Sequence, residues 1–502
     1  MKMTCYEEKK GFDLSSLKPL KAVAFFAFLL CFFATSNLMA ATLTVGVGKT
    51  YDTITEAIAA ATVGDTIDVY GTITGDGIAT TGISVDKDLI IQGQGKTATI
   101  VQAAATKGGA DRRVFTIPAG TTVTLKDMTI RYGNGSTAGA INNKGTLTIE
   151  NCVISDNIGT GHIGAIYTSN ATVVISSTEI IDNSTPGLSG GIYHIANAAA
   201  SSITLTDCTI SGNSAKIVGG ISHVAINGGT LSATLNGCTI SDNESIGTSS
   251  DGGGMRVLVD HSGSTATASL TNCTFFGNEA GNQGGALELD RMVEGATLEV
   301  DLVNCTIAGN RANSGDSSDF YNNPSPNYDA YGMGGGIFLN LYNPNVLNIT
   351  NCLIADNVSG LAAPIWSDLC RDYTRIAEHA SPNINNSILE VYDTVHITPN
   401  GANNLTGQQA GLNLAALADN GGPTETMALL AGSVAIDAGT DTGAPAIDQR
   451  GYDRISPSDI GAYEYAVVPA AIPTLNEWGM IILFLLTITA GFMLIRRRRV
   501  LS

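Results

Sequence analysis

The chain has 502 residues, of which 44% are hydrophobic and 14% are charged, and its formal net charge at pH 7 is −19. This amount of apolar material can form a large core, so the composition excludes an intrinsically disordered protein. From Ala41 to Leu475 there are 17 lysines and arginines against 41 aspartates and glutamates, a net charge of −24. Because nucleic acid binds to basic surfaces, no nucleic-acid partner is expected.

Residues 1–40 have the layout of a secretory signal peptide. Lys18 and Lys21 stand just before an apolar run, Ala22 to Ala34, and small or polar residues follow up to Ala40. A lipoprotein signal would need a small residue before Cys31, where Leu30 stands. The sequence therefore predicts an exported protein.

Residues 41–135 contain short alternating segments and one helical segment. The stretch from Tyr51 to Thr62 follows TLTVGVG and precedes DTIDVYGTI. Its apolar residues recur at helical spacing, at Ile54, Ala57, Ile58 and Ala61. A stack of strands needs its open end covered, so we expect this helix to be an N-terminal cap, followed by the first, less regular coils of the stack.

Residues 136–400 are a repeat whose units each open with two small residues and a hydrophobe. The opening hydrophobes, spaced 25 to 51 residues apart, are Ile141, Ile166, Ile192, Ile221, Met255, Ala286, Ile337 and Ile365. Each unit then alternates apolar and polar residues, as in LTIENC and ITLTDC, before a turn rich in Gly, Asn and Asp. An alternation with a period of two is typical of β-strands.

Units of this length hold two or three short strands, and none of them can bury its own apolar face. They must therefore stack on one another as a solenoid. The pattern resembles the repeats of right-handed parallel β-helix proteins, and that resemblance implies the same fold here. A β-propeller is the competing architecture, but its antiparallel hairpins need tight turns at regular places, which this sequence lacks.

A cysteine recurs at one position of the repeat, as in NCTIAGN at Asn304. The column comprises Cys152, Cys208, Cys238, Cys273, Cys305 and Cys352. Equivalent residues of stacked parallel strands lie about 4.8 Å apart and point the same way, whereas a disulfide needs facing Cβ atoms about 3.8 Å apart. We therefore predict a buried ladder of free thiols. Disulfides and a metal or redox role are the alternatives, and the state of Cys370, outside the column, is open.

An asparagine follows each cysteine of this column five residues later, and another follows Thr178, which takes the cysteine position in one coil. The asparagine column comprises Asn157, Asn183, Asn213, Asn243, Asn278, Asn310 and Asn357. A repeated turn asparagine can bond its amide to the coils above and below, which predicts a structural ladder. Calcium is the alternative, but the turns supply few carboxylates for it, at Asp156, Asp182, Asp242 and Asp356. No other cofactor is expected.

The residue after each opening hydrophobe faces outward if the hydrophobe faces the core. The predicted outward row is Asn142, Tyr167, Tyr193, Ser222, Arg256, Leu287, Phe338 and Trp366. Aromatic faces and an arginine can bind sugar rings laid along the solenoid. The candidate ligand-binding residues are therefore Tyr167, Tyr193, Arg256, Phe338 and Trp366. The alternative is that these side chains pack beneath long loops or the C-terminal segment. One coil also carries a long insertion rich in Tyr and Asp, from Ala312 to Met333, and long loops of this kind often bind ligands, although many are merely tolerated.

A catalytic reading rests on charged residues of two adjacent units. Glu288, Asp290 and Arg291 occur in GALELDR, and Arg256 and Asp260 occur in MRVLVDH one unit earlier. A glycoside hydrolase needs paired acids, and a polysaccharide lyase needs a basic residue beside calcium-binding carboxylates. These five residues are the weak catalytic candidates.

Two further observations weigh against catalysis. His194 and His223 occupy equivalent places in neighbouring units, but they lack a carboxylate partner, and we interpret them as turn residues. An acidic ectodomain also repels a polyanionic substrate unless calcium intervenes. The sequence therefore favours a protein that is not an enzyme.

Residues 401–466 contain four motifs in a fixed order, LADNGGPTETMALL, SVAIDAG, DQRG and DIGAYE. They resemble the choice-of-anchor Q domain, a segment that follows β-helix repeats and precedes surface-sorting signals. The resemblance implies a location at the cell surface and no particular chemistry.

Residues 472–502 form three consecutive parts: a short motif, an apolar span and an arginine cluster. The motif comprises Ile472, Pro473, Thr474, Leu475, Trp478 and Gly479, and the cluster comprises Arg496, Arg497, Arg498 and Arg499. The span 478–495 has no charge and is just long enough to cross a bilayer, with the arginines on the cytoplasmic side. A buried core helix is the alternative. The three parts resemble the IPTL-type C-terminal sorting domain of Gram-negative bacteria, which implies processing by an exosortase-like membrane protease.

The predicted fold class is all-β, a right-handed parallel β-helix (solenoid) with an N-terminal cap helix and one C-terminal transmembrane helix. We expect the protein to be exported, anchored in the inner membrane in transit with its C-terminus in the cytoplasm, and then placed at the cell surface or released. The expected function is non-catalytic binding of a polysaccharide or extracellular matrix, or adhesion. A polysaccharide lyase or glycoside hydrolase on the same fold is one alternative, and a purely structural envelope component is the other.

Overall fold

The computed structural model describes residues 40–247, 250–312, 334–340, 346–359, 368–371, 381–392, 394, 397–407 and 411–465. These residues form a parallel β-helix with four parallel sheets, here named A to D, that run along its length. Each regular coil contributes one strand to sheet D, then one each to sheets A, B and C. The predicted all-β solenoid is confirmed.

The strands of each sheet are given in chain order. Sheet A consists of Thr42–Val45, Thr66–Val69, Leu89–Gln92, Thr122–Lys126, Thr146–Glu150, Thr172–Ser176, Ala200–Thr206, Thr230–Asn236, Thr265–Thr271, Thr297–Val303, Val346–Thr350 and Asn383–Asn385. Sheet B consists of Gly71–Thr74, Thr99–Gln102, Thr129–Arg131, Val153–Ser155, Glu179–Ile181, Thr209–Ser211, Thr239–Ser241, Thr274–Phe276, Thr306–Ala308, Leu353–Ala355, Ile388–Leu389 and Leu405–Thr406. Sheet C consists of Asn134–Gly135, Ile158–Gly159, Ser184–Thr185, Ser214–Ala215, Glu244–Ser245, Glu279–Ala280, Arg311–Ala312 and Val358–Ser359. Sheet D consists of Ile83–Ser84, Phe115–Ile117, Ile141–Asn143, Ile166–Ser169, Ile192–Asn197, Ile221–Ile226, Met255–Val259, Leu287–Arg291, Ile337–Asn340 and Leu369–Arg371.

The predicted N-terminal helix is confirmed as Ile54–Ala60. Thr53 begins it with a capping box, in which its hydroxyl accepts from the Glu56 N–H and the Glu56 carboxylate accepts from the Thr53 N–H. At the other end, the Lys87 ammonium donates to backbone carbonyls of the last turn. The apolar side of the helix is buried in the same core as the first strands, so it covers that core at the N-terminal end.

The paired small residues that open each coil are required by close approach between coils. An added Cβ at Gly254 would lie 2.6 Å from the carbonyl oxygen of Ala286 in the next coil and 3.1 Å from the side-chain amide carbon of Asn278. Both distances are shorter than ordinary van der Waals contact, so a larger residue here would push two coils apart. Equivalent openings at Gly220 and Gly336 are crowded in the same way.

The asparagine column forms a continuous hydrogen-bonded ladder at the corner between sheets B and C. Each side-chain amide donates to the amide oxygen of the asparagine in the next coil, and that oxygen also accepts the backbone N–H of the donor residue. The successive Nδ2···Oδ1 distances from Asn157–Asn183 to Asn310–Asn357 are 2.9, 3.0, 3.0, 2.9, 2.9 and 2.9 Å. The ladder therefore pairs backbone groups that the turns leave without a strand partner.

A carboxylate ends this ladder. Asn357 Nδ2 donates to Asp368 Oδ1 at 2.8 Å, and the Val391 N–H donates to Asp368 Oδ2 at 2.7 Å. Burial raises the pKa of Asp368 to about 7, and the hydrogen bonds from Asn357 and Val391 oppose that shift. Because all the amides donate in the same direction, a negative oxygen is a favourable last acceptor.

The seven cysteines of the described residues are free and buried. The thiols of the column lie at the corner between sheets A and B, where Cys152 Sγ is 3.3 Å from the Glu150 carbonyl oxygen. Burial raises the pKa of Cys152 to about 12. These thiols therefore act as small hydrophobic core residues. Cys370 is also buried, on sheet D.

We predict that the column thiols do not react with maleimide in the native protein, because they are buried and inaccessible to the reagent. Peptide mass spectrometry after labelling is expected to find Cys152 and Cys273 unmodified at neutral pH and fully modified in denaturant. A Ser232→Cys variant is the matched control, since Ser232 is exposed on sheet A, and it is expected to react within minutes. Native-state labelling of Cys152 at the rate of this control would contradict the buried ladder.

The C-terminal segment, residues 411–465, packs across sheet B. It contains its own antiparallel pair, Leu414–Ala418 with Thr426–Leu429. Three asparagines that precede column cysteines donate to backbone carbonyls of this segment: Asn272 to Ile447 at 2.8 Å, Asn304 to Asp459 at 3.1 Å and Asn351 to Thr440 at 2.7 Å. The first asparagine of NCTIAGN is therefore a docking residue in these coils.

Candidate functional site

The outward row predicted from the repeat lies on sheet D, but one member is wrong. Met255 pairs with Leu287, so Leu287 faces the core and is fully buried. Glu288 takes the outward position beside Arg256. The sequence reading failed because Ala286 was taken as the opening hydrophobe, whereas it is the second small residue of its opening, equivalent to Gly254.

The far end of the row also differs from the prediction. Phe338 pairs with Glu288 as an outward neighbour and is buried. The next member is Cys370, because Leu369 pairs with Ile337. The predicted member Trp366 lies outside the described residues.

Tyr167 and Tyr193 form the aromatic part of the row. They are paired on adjacent strands, and their rings stack with centroids 5.9 Å apart and an interplanar angle of 7°. Both side chains are half-buried. Burial raises the pKa of Tyr193 to about 12, and the neighbouring Tyr167 adds to the shift, so the Tyr193 hydroxyl stays protonated.

Next to the tyrosines, beyond Ser222, lies a cluster of charged groups centred on Arg256. Its guanidinium contacts three carboxylates: Asp251 at 2.9 Å, Glu288 at 3.7 Å and Asp290 in a short ion pair. Asn340 Nδ2 donates to Asp290 Oδ1 at 2.9 Å. The side chains of Glu288 and Asp290 are only 2% and 3% exposed. These two carboxylates therefore lie almost out of contact with solvent.

The protonation of this cluster follows from burial and from its excess of acids. Burial alone would lower the pKa of Arg256, but Glu288, Asp251 and Asp290 together raise it above its ordinary value. Burial raises the pKa of Glu288 well above its usual range, with the negative charge of Asp251 adding to the shift and Arg256 opposing it. Burial likewise raises the pKa of Asp290, against the opposing charge of Arg256. The arginine is thus always charged, and Glu288 is the carboxyl most easily protonated.

The structure brings together only some of the catalytic candidates. Arg256, Glu288 and Asp290 are in contact, as their adjacent coils suggested. Arg291 does not join them, because strand alternation puts it on the same side as the inward Leu289, and it is buried there. Asp260 follows the strand Met255–Val259 and influences Asp290 only through its charge.

Sequence reasoning missed Asp251, which pairs with Arg256 although it precedes the glycines of the coil opening. The only signal was its position directly before Gly252. The interpretation of His194 and His223 as turn residues was wrong. Both lie in sheet D strands and are buried inside the solenoid, with their Nδ1 atoms 3.0 Å apart. Burial lowers the pKa of His194 to about 3, so it is neutral.

No group of three His, Cys, Asp or Glu side chains in the described part of the chain is placed to hold a metal ion. No helix in that part is long and apolar enough to cross a membrane. The predicted signal peptide, the insertion 313–333 and the sorting residues from Ile472 to Arg499 lie outside the described residues.

Comparisons with known proteins agree with this architecture. The model of a right-handed β-helix region matches residues 86–231. This match and the four parallel sheets agree on a right-handed parallel β-helix fold. It also carries an IPTL-CTERM motif, matched over residues 470–499.

Among solved structures, the chain is similar to the crystal structure of pectate lyase Pel9A. The TM-score is 0.48 and the identity is 15%, over 85% of this chain and 97% of that chain. A likeness this distant does not assign an activity. A search of curated proteins gives no match.

Proposed function

We propose that the protein binds a polysaccharide or extracellular matrix along sheet D at the cell surface and catalyses no reaction. The IPTL-CTERM motif supports export, surface sorting and processing by an exosortase-like protease. The motifs of residues 401–466 support a choice-of-anchor Q-like segment, and the span 478–495 is the proposed transient membrane anchor.

The observation that carries this proposal is the stacked pair Tyr167 and Tyr193 on the outer side of sheet D. A tyrosine presents a large amphipathic surface with few rotatable bonds, so little conformational entropy is lost on binding. The two rings follow the solenoid axis, as residues that contact successive units of a long glycan would. Arg256 lies on the same row, one coil beyond Ser222, where three carboxylates hold its guanidinium in place.

The charge cluster supports a non-catalytic role. A base must accept a proton, but three carboxylates hold the Arg256 guanidinium in its protonated form. Glu288 and Asp290 are too deeply buried to reach a glycosidic bond in this conformation. The cluster therefore fits a structural support for the row better than an active centre.

The variant Tyr167→Ala/Tyr193→Ala is expected to bind its glycan about tenfold more weakly, because two aromatic contacts of roughly 0.5–1.5 kcal/mol each are lost. A glycan array identifies the ligand, and titration of the purified protein then gives Kd. Tyr452→Ala is the matched control, since Tyr452 is 54% exposed on the C-terminal segment. Equal affinity of the double variant and the control would refute the proposed site.

A second candidate function, glycoside hydrolysis, is favoured by one observation. Glu288 and Asp290 lie two residues apart on the same side of a strand, a separation of about 6.6 Å between Cα atoms. A pair of neighbouring carboxyls, one of them with a raised pKa, is the usual acid and base pair of these enzymes. Reducing-sugar and unsaturated-uronate assays on the array ligands test this candidate, and turnover that Glu288→Gln abolishes would overturn the non-catalytic proposal.

A further inference from the structure

The outer side of sheet A is lined by threonine and serine over six successive strands. These strands read TVTLK, TLTIE, TVVIS, ASSITLT, TLSATLN and TATASLT, from Thr122–Lys126 to Thr265–Thr271. In each strand the second, fourth and sixth residues are buried, and the first, third, fifth and seventh lie at the surface. We name the surface formed by the first, third, fifth and seventh residues of these strands the threonine face. Threonine or serine occupies most of its positions.

The threonine face is a regular two-dimensional grid. The six strands pair in parallel without a shift in register, so that Thr124, Thr148, Val174, Thr204, Thr234 and Ser269 form one rank across them. Ranks of this kind repeat about every 4.8 Å across the strands and about every 6.6 Å along them. Threonine is stiff at χ1, so its hydroxyl and methyl groups are held in place before any ligand arrives.

This face is free to meet a large surface. The C-terminal segment covers sheet B, and on sheet D the row members Ser222, Glu288 and Phe338 are buried. Thr172, Thr230 and Thr234 on the threonine face are exposed. Between the strands Thr172–Ser176 and Thr265–Thr271 no outward position is charged.

We propose that the threonine face binds crystalline ice. Hydroxyl groups at fixed spacings accept and donate hydrogen bonds to water, and the methyl groups between them restrain water without bonding it. A regular grid of fixed hydroxyl and methyl groups, without charge from the strand Thr172–Ser176 to the strand Thr265–Thr271, can hold a layer of ordered water that is continuous with an ice crystal. A charged side chain would instead orient water around itself.

A crystalline polysaccharide is the other periodic lattice with hydroxyl groups at regular spacing. Proteins hold sugar rings mainly through aromatic faces, and the threonine face has no aromatic residue. The tyrosines lie on sheet D, about a quarter of the way round the coil. The ice-binding surface is thus separate from the proposed glycan row.

The test uses the full chain, purified in a mild detergent, in assays of thermal hysteresis and of ice recrystallisation. Wild-type protein is expected to lower the freezing point below the melting point and to keep ice grains small, and detergent alone is not. The variant Thr204→Lys/Thr234→Lys, which puts two charges in the middle of the threonine face, is expected to lose at least tenfold in activity. Thr160→Lys is the matched control, since Thr160 is exposed in a loop outside the face, and it is expected to keep full activity.

Circular dichroism melting of each variant separates loss of the surface from loss of the fold, because outward threonines of a sheet tolerate lysine with little change in stability. Absence of thermal hysteresis in folded wild-type protein would overturn the proposal. So would equal activity of the double variant and Thr160→Lys. A third outcome would also overturn the proposal: the wild-type protein sediments with crystalline cellulose or chitin, the double variant does not, and neither protein affects ice. That outcome would assign the threonine face to a polysaccharide. Glycan binding through Tyr193 is expected to be unchanged in every variant of the face.

Discussion

Replacing Asn278 with alanine is expected to lower the free energy of unfolding by about 3–6 kcal/mol, because each buried polar group left unpaired costs roughly 1–3 kcal/mol. Asn278 Oδ1 accepts both the backbone N–H and the side-chain amide of Asn243. Its own Nδ2 donates to the Ile240 carbonyl at 2.8 Å and to Asn310 Oδ1 at 2.9 Å. All of these groups are buried, so water does not replace the missing amide.

The matched control for this variant is Asn236→Ala, which removes an exposed asparagine from sheet A. Its expected cost is below about 0.5 kcal/mol, the usual range for a surface substitution. Guanidinium unfolding, monitored by circular dichroism, gives the free energy of unfolding of both variants. The midpoint and the slope of each curve are compared, because a solenoid need not unfold in a single step. If Asn278→Ala unfolds at the same denaturant concentration as the control, the ladder does not stabilise the protein.

This ladder could be predicted from sequence because it is a property of one position repeated at a constant place in the coil. Stacking makes the neighbour of each asparagine another asparagine, so a single turn, once understood, describes them all. Asp368 could not be predicted in the same way. It belongs to the opening of a coil, where small residues normally stand, and its carboxylate reaches the place of the next asparagine.

The outward row shows how a repeat can be aligned wrongly by one residue. The triplets GGM at Met255 and GGA at Ala286 look equivalent as letters. The structure instead aligns Met255 with Leu287, because a side chain at Gly285 would collide with the Gly335 carbonyl, whereas Ala286 is tolerated. A shift of one residue exchanges the inner and outer sides of a strand, so Glu288 was lost from the row and Leu287 was gained.

The docking of the C-terminal segment has no local signal. Asn272, Asn304 and Asn351 all have positive φ, so each reads as an ordinary turn asparagine. Their partners are 175, 155 and 89 residues further along the chain. Contacts at such separations depend on how a whole segment lies on sheet B, and no spacing within the repeat encodes that.

Replacing Arg256 with methionine is expected to lower the free energy of unfolding at pH 8 by about 3–5 kcal/mol, the usual cost of removing one partner from a buried ion pair. Asp251, Glu288 and Asp290 would keep their burial and lose the charge that opposes their mutual repulsion. Arg112→Met is the matched control, because Arg112 pairs with a solvent-exposed Asp111. Its expected cost is below about 1 kcal/mol.

The loss of stability caused by Arg256→Met is expected to grow as the pH rises. Burial already raises the folded-state pKa values of Glu288 and Asp290, and loss of the opposing arginine raises them further. The folded state then binds protons more tightly than the unfolded state, whose carboxyls titrate near about 4. The stability that these two protonated carboxyls contribute is therefore fully present below the unfolded-state pKa of about 4. It is lost as the pH rises through their folded-state pKa values. The difference between variant and wild type is expected to be small at pH 4 and largest at pH 8.

The variant Arg256→Met/Glu288→Gln/Asp290→Asn separates charge from packing in this result. Neutral amides have nearly the shape of the carboxyls and no pKa, so this triple variant is expected to recover most of the lost stability at pH 8 and to lose the pH dependence. Unfolding curves at pH 4, 6 and 8 for the single and triple variants measure both effects. A penalty for Arg256→Met that stays constant from pH 4 to pH 8 would show that the arginine acts through the packing of its side chain. In that case the carboxylates are already neutral in the wild-type protein, and Arg256 would be left as the one charge in the cluster that is available to a ligand on sheet D.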